Sequence, residues 1–351
     1  MDEGQNYRSP QSFKSVVIEG GDQIGKGDVT NYLLERFKRE NVNICKLSFP
    51  LYSAPFGTIV RKTLEKGFPS IPEIDLIAGT RRELEIKMVL FAINRLEALE
   101  SILRRYEEKE MNFMLDRSPY SHAVTISYGL QGVKCVSEEE VDDLIGLIFD
   151  IEEFFIKTLN LSDCVIHLMA DHGRKGWKKE RSDGDLYEVR AVQEVVDSVY
   201  KKIGGIVGQG WGHIYTKKNA KFRSREDIYK EVDLVVDALS FKSTKGEGSV
   251  IYDILEVAKD VYGLDLYGLS IYEKYFRNVQ LDDNEKNRET YGLACEIGEY
   301  IAKTCTVVVF ENKGVKKSIK RILKLYPEVL SIVEYHFGET FRSKFESVLD
   351  E

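Results

Sequence analysis

The apolar positions of this chain change period as it is read from end to end. Val16-Val17-Ile18 is a short continuous apolar run closed by glycines, which predicts a buried strand. From Asp28 to Arg39 the period lengthens, with Tyr32, Leu33 and Phe37 on one side, and an amphipathic helix is predicted. Asn43 to Leu47 reads as a second strand, Pro72 to Tyr106 as helix in two pieces, and Asn112 to Leu115 as a buried strand delivering Asp116 and Arg117 at its carboxyl end. Ser137-Glu138-Glu139-Glu140 forms a capping box that opens a helix through Phe155. Asp163 to Met169 and His213 to Tyr215 supply two more strands. This βα order predicts the α/β class, with a mostly parallel sheet, helices on both faces and ligands beyond the carboxyl ends of the strands.

Near residue 240 the character shifts. Phe241 to Ser249 is small, polar and glycine-containing, so 241–249 is expected to be a linker between a domain at 13–240 and a mainly helical domain at 250–351. On that reading a chain ending near residue 245 folds by itself. Ile319, Ile322, Leu323 and Tyr326 illustrate the helical spacing of the last third; Thr306 to Phe310 fits either a strand or a buried helical turn. Lys316, Lys317, Lys320, Arg321 and Lys324 read as the solvated face of a helix. Residues 1–12 are polar and are expected to be a disordered N-terminus. No internal repeat or low-complexity tract breaks the pattern.

Composition narrows the function classes. In 351 residues, 43% are hydrophobic and 31% charged, the balance of a globular protein with a sizeable core. A formal net charge of −8 argues against nucleic-acid binding, so any anion site must be a local positive pocket. Cys45, Cys135, Cys164, Cys295 and Cys305 are widely spaced and form no C-x-x-C, as expected of reduced thiols rather than a disulfide frame or zinc site. No run approaches the roughly 20 apolar residues of a membrane span, and a cytoplasmic protein is expected.

The chemistry is concentrated after the first strand. Gly20 to Lys26 fits G-x-x-x-x-G-K, in which backbone N–H groups turn onto phosphate oxygens and the lysine reaches the β and γ phosphates. Gly20, Gly21, Gln23, Ile24, Gly25, Lys26, Gly27 and Asp28 are therefore the expected ATP-binding residues. The next position departs from the pattern. Where Ser or Thr normally holds Mg²⁺ stands Gly27, followed by Asp28, a carboxylate that repels the triphosphate unless it joins the metal or points away.

Four further motifs follow in order: Phe49-Pro50-Leu51-Tyr52-Ser53-Ala54-Pro55-Phe56-Gly57, Leu90 to Arg95, Asp116-Arg117-Ser118-Pro119, and the segment Arg174 to Glu188. From about residue 13 to about 240 the chain resembles the thymidylate kinase family. The resemblance implies a P-loop NTPase-type three-layer fold and transfer of phosphate from ATP, with Mg²⁺, to dTMP. It places Asp22 near the sugar hydroxyl and the metal, Phe91 on the thymine ring, Arg95 and Gln131 at the base edge, Phe49 at the substrate and Arg117 on the acceptor phosphate. Asp22, Asp28 and Asp116 are the expected metal ligands. With Gln23 in the loop, the arginine that stabilises the transferring group is expected from Arg174 or Arg181, beside the catalytic Lys26, Asp22 and Arg117. Two other readings stay open: a nucleotide-binding module with impaired chemistry, and a deoxynucleoside kinase, which shares the loop and the Asp116-Arg117-Ser118 pattern. Nucleotides are the expected partners, and a homodimer is left open.

Overall fold

The computed structural model describes residues 13–106, 111–170, 187, 189–218, 221–241, 249–279 and 288–349. The segment 1–12 lies outside these residues. Seven strands form one sheet in the order β6-β5-β4-β1-β3-β2-β7, with β1 Ser15–Glu19, β2 Ile44–Ser48, β3 Asn112–Asp116, β4 Val165–Ala170, β5 Trp211–Lys218, β6 Lys221–Phe222 and β7 Ser249–Ile251. All pairs are parallel except β5 with β6.

Alternation along the strands builds two hydrophobic layers. Val16, Ile18, Met114 and Ile166 face the helices α1 (Lys26–Arg39) and α9 (Arg225–Asp237), whereas Val17, Phe113, Leu115 and Val165 face a larger core. That core gathers α2 (Pro55–Lys66), α3 (Pro72–Asp75), α4 (Arg81–Tyr106), α5 (His122–Ser127), α6 (Val141–Ile151), α7 (Glu153–Thr158) and α8 (Arg190–Val207). The capping box at Ser137 and Glu140 is formed reciprocally, but the helix expected through Phe155 is interrupted at Glu152.

The last third joins the same sheet and the same core. Its first strand, β7, pairs in parallel with β2, aligning Cys45 with Val250 and Lys46 with Ile251. Six helices follow: α10 (Ile254–Tyr262), α11 (Ser270–Val279), α12 (Arg288–Thr304), α13 (Lys313–Leu325), α14 (Glu328–Phe337) and α15 (Glu339–Glu346). Several of them cover α4, whose flank is polar at chosen points to meet them. Tyr252 donates to Ala98 O at 3.1 Å, Ser101 and Arg105 each donate to Asp260 at 2.7 Å, and Glu100 accepts from the Glu311 backbone at 2.8 Å. Between α2 and α12 the contact is closer still. A Cβ on Gly298 would lie 2.0 Å from Thr58 Oγ1, so only glycine lets these helices meet. Thr306 to Phe310 forms neither strand nor helix; Val309 donates its N–H to Val261 O at 2.9 Å while Val308 and Phe310 are buried. The whole is an α/β fold, a mostly parallel sheet with helices on both faces and a further helical region.

Candidate functional site

The glycines of the loop after β1 serve distinct steric needs. Gly20 has φ 139°, and a Cβ there would meet Leu168 O at 2.5 Å; Gly25, at φ 96°, caps the N-terminus of α1. Ile24 is buried beneath the loop and anchors it. At the head of α1, Lys26 Nζ donates to Gly20 O at 2.9 Å and Gly21 O at 2.6 Å and lies 3.8 Å from Asp22. Burial, and then the Arg117 charge, lower the Lys26 pKa to about 8, against the opposing pull of Asp22, Asp116 and Glu19.

This shift gives a signed pH prediction. Since Lys26 loses its charge as pH rises through about 8, ATP affinity is expected to be flat below that pH and to fall by up to about tenfold per pH unit above it. Lys26→Arg, which keeps its charge, should flatten the alkaline limb. Calorimetry from pH 6.5 to 9.5 checks this; an unchanged alkaline limb in Lys26→Arg would assign the dependence to another group.

One buried carboxylate ties the loop to the next strand end. Glu19 Oε1 accepts from the Ser118 N–H and hydroxyl, both at 2.7 Å, and Oε2 accepts from Ser121 Oγ at 2.7 Å and Tyr200 OH at 2.8 Å. Arg117, the residue between β3 and Ser118, has a left-handed φ of 69° and extends its guanidinium to Asp22 Oδ1. Burial opposes that charge, but Asp22 and further acidic groups hold the Arg117 pKa above its ordinary value. Gln193 of α8 grips the other side of Asp22: its Oε1 accepts from the Asp22 N–H at 3.0 Å and its Nε2 donates to Asp22 Oδ2 at 2.8 Å. Sequence reading missed Gln193, which carries no motif and lies 171 residues from its partner.

Phe49, Phe91 and Arg95 share one cavity wall with His122, and the cavity, of about 2010 Å³, also reaches the loop, Asp116 and Arg117. Phe49 is largely buried, packed edge-to-face on Phe155 at 5.6 Å, and the Phe49 loop is clamped by Asn94, which accepts from Leu51 N at 2.9 Å. Phe91 meets the His122 ring edge-to-face at 5.8 Å. Arg95 is 2% exposed, and its Nε and Nη2 both donate to Glu152 Oε1 while Nη2 lies 2.8 Å from His122 Nε2. His122 Nε2 also lies 3.2 Å from Glu152 Oε1, so the three side chains form one buried cluster. Burial lowers the His122 pKa to about 4, leaving it neutral near pH 7. Gln131 sits on a π-helical turn, Tyr128–Gly132, and does not line this cavity.

The three candidate metal carboxylates are placed differently. Asp22 is held by Arg117 and Gln193, Asp116 ends β3 at the cavity, and Asp28 is exposed at the rim, where it accepts from Arg225 Nη2 at 2.9 Å. From the first turn of α1, Asp28 thus meets Arg225 at the start of α9. Asp28→Ala and Asp28→Thr are accordingly expected to leave the Mg²⁺ requirement for turnover within about twofold and to change stability by less than about 1 kcal/mol, the range of an exposed ion pair. A magnesium titration in which Asp28→Ala needs several-fold more metal would place Asp28 at the ion after all. Arg174 and Arg181 lie outside the described residues.

No family model and no curated protein sequence matches the chain. Among solved structures it is similar to thymidylate kinase from Candida albicans, with 16% sequence identity and a TM-score of 0.43, over 69% of this chain and 99% of that one.

Proposed function

We propose that the protein transfers a phosphoryl group from ATP to a nucleoside monophosphate, dTMP being the acceptor that the motif resemblance implies. The observation that carries the proposal is the joining of the Lys26 loop, the Asp22–Arg117 pair and the Phe91 wall in one cavity. Such a reaction passes through a loose transition state, so its requirements are alignment and charge neutralisation rather than a nucleophilic side chain. Lys26 and the N–H groups at the head of α1 hold the donor phosphates; Arg117 holds the acceptor phosphate. Asp22 fixes Arg117 between turnovers, and Gln193 fixes Asp22. Phe91 supplies a flat face to the acceptor base, and Arg95, immobilised by Glu152 and His122, shapes the wall beneath it.

The glycine loop that leads from Gly20 through Gly25 into the N-terminus of α1 suits a triphosphate, and the carboxylates suit Mg²⁺, which uses one or two carboxylates with phosphate and water rather than a full protein cage. Among the described residues no group of three or more His, Cys, Asp or Glu is arranged to hold a metal. Asp116 and Asp22 are the residues that would hold it. When bound, Mg²⁺ neutralises charge on the phosphates; Gly27 supplies no hydroxyl for it. The resemblance assigns charge stabilisation on the transferring group to Arg174 or Arg181.

A coupled assay of ADP production across dTMP, thymidine and other monophosphates tests the proposal. Turnover greatest with dTMP is expected. Preference for thymidine would make the protein a deoxynucleoside kinase, and ligand binding without ADP release would make it a binding module, the outcome to which the missing hydroxyl at Gly27 points.

A further inference from the structure

We infer that Tyr291 and Tyr275, which belong to the added helical region, determine which acceptor the cavity admits; the inference rests on the nucleotide-kinase reading above. The cavity does not end at the sheet. It continues from Arg117 and Phe91 past Tyr52 and Arg61 to Tyr275 of α11 and Tyr291 of α12. At about 2010 Å³ it exceeds the ~300–1000 Å³ of a single-ligand pocket and has room for a donor and an acceptor together.

Its outer wall is aromatic and stiff. The Tyr52 and Tyr291 rings meet edge-to-face at 5.5 Å, and the Arg61 guanidinium lies 4.3 Å from the Tyr291 ring centre and 5.7 Å from that of Tyr52. Arg61 is 4% exposed, and its Nε donates to Glu65 at 2.7 Å, so the cation that both rings flank is itself fixed. A wall of this kind is preorganised, because each ring is held by packing rather than free to swing aside. With Phe91 lining the same cavity, the acceptor end offers aromatic faces to a planar base, and the rings of α11 and α12 limit its size. A smaller side chain at 291 or 275 opens that limit.

The test is acceptor choice. Wild type, Tyr291→Ala, Tyr291→Phe and Tyr275→Leu are compared for kcat/KM with dTMP and dGMP and for KM with ATP. For Tyr291→Ala, dTMP efficiency is expected to fall about tenfold or more while the dGMP to dTMP ratio rises by a similar factor, with the KM for ATP unchanged. Tyr291→Phe should keep the wild-type ratio, and Tyr275→Leu should move it in the direction of Tyr291→Ala. Loss of stability alone lowers both efficiencies together by cutting the active fraction, and moves neither their ratio nor the KM for ATP. Should Tyr291→Ala fail to fold, Tyr275→Leu decides. A ratio unchanged in the folded variants overturns the inference and leaves the kinase reading standing; a wild type that phosphorylates no nucleotide overturns both.

Discussion

Ending the chain after residue 245 is expected to abolish cooperative folding, read as loss of a melting transition and of ligand-induced stabilisation. The physical reason is the double duty of α4, which packs on the sheet-side helices and also on α10, α13 and α14. Removal of residues beyond 245 exposes that second flank and strips β2 of its edge partner. It also deletes Tyr262, whose hydroxyl donates to Glu97, a carboxyl that burial pushes up to about 7. Large buried side chains such as Tyr262, Ile319, Phe341 and Phe345 are each worth ~1.5–3 kcal/mol of burial, and several together rival the ~5–15 kcal/mol net stability of a folded protein. A soluble truncated chain that melts cooperatively and still binds ATP would establish 13–240 as an independent domain.

Arg117→Ala is expected to weaken dTMP binding by about 30- to 1000-fold, the loss of a charge-assisted phosphate contact worth ~2–4 kcal/mol, while ATP affinity changes by less than about fivefold. Alanine meets the same left-handed backbone as arginine, so local strain does not separate the two proteins. Calorimetry with each nucleotide distinguishes the roles. Equal losses for both ligands would mark Arg117 as a brace for Asp22 rather than an acceptor contact.

The loop, the short apolar runs of the central strands and the Asp116-Arg117 strand end were legible because each is local: a glycine pattern, an apolar run and a chain direction. The attachment of the last third was not. β7 is three residues long and follows a polar, glycine-containing segment, and nothing in so short a run indicates which strand it will pair with. Gln193 and Glu152 escaped for a related reason. Each lies on or beside a helix with no motif of its own, and its meaning comes from a partner far along the chain: Asp22 for Gln193, Arg95 for Glu152. Residue type and motif order brought Arg95 to the cavity but could not disclose that a buried carboxylate already engages it. Asp28 shows the converse, since its place in the first helical turn was readable while the direction of its side chain depended on Arg225.

Glu19 fixes more than a loop. By accepting from Ser118, Ser121 and Tyr200 at once, it joins the end of β1 to the start of the segment after β3 and to α8. The Lys26 loop and Arg117 are therefore tied to one another through Glu19, and their placement is built into the fold. On the function proposed above, any motion that accompanies turnover is expected in the surrounding walls. On the same reading, the frame that holds the loop and the end of β3 is the part of this protein expected to stay still.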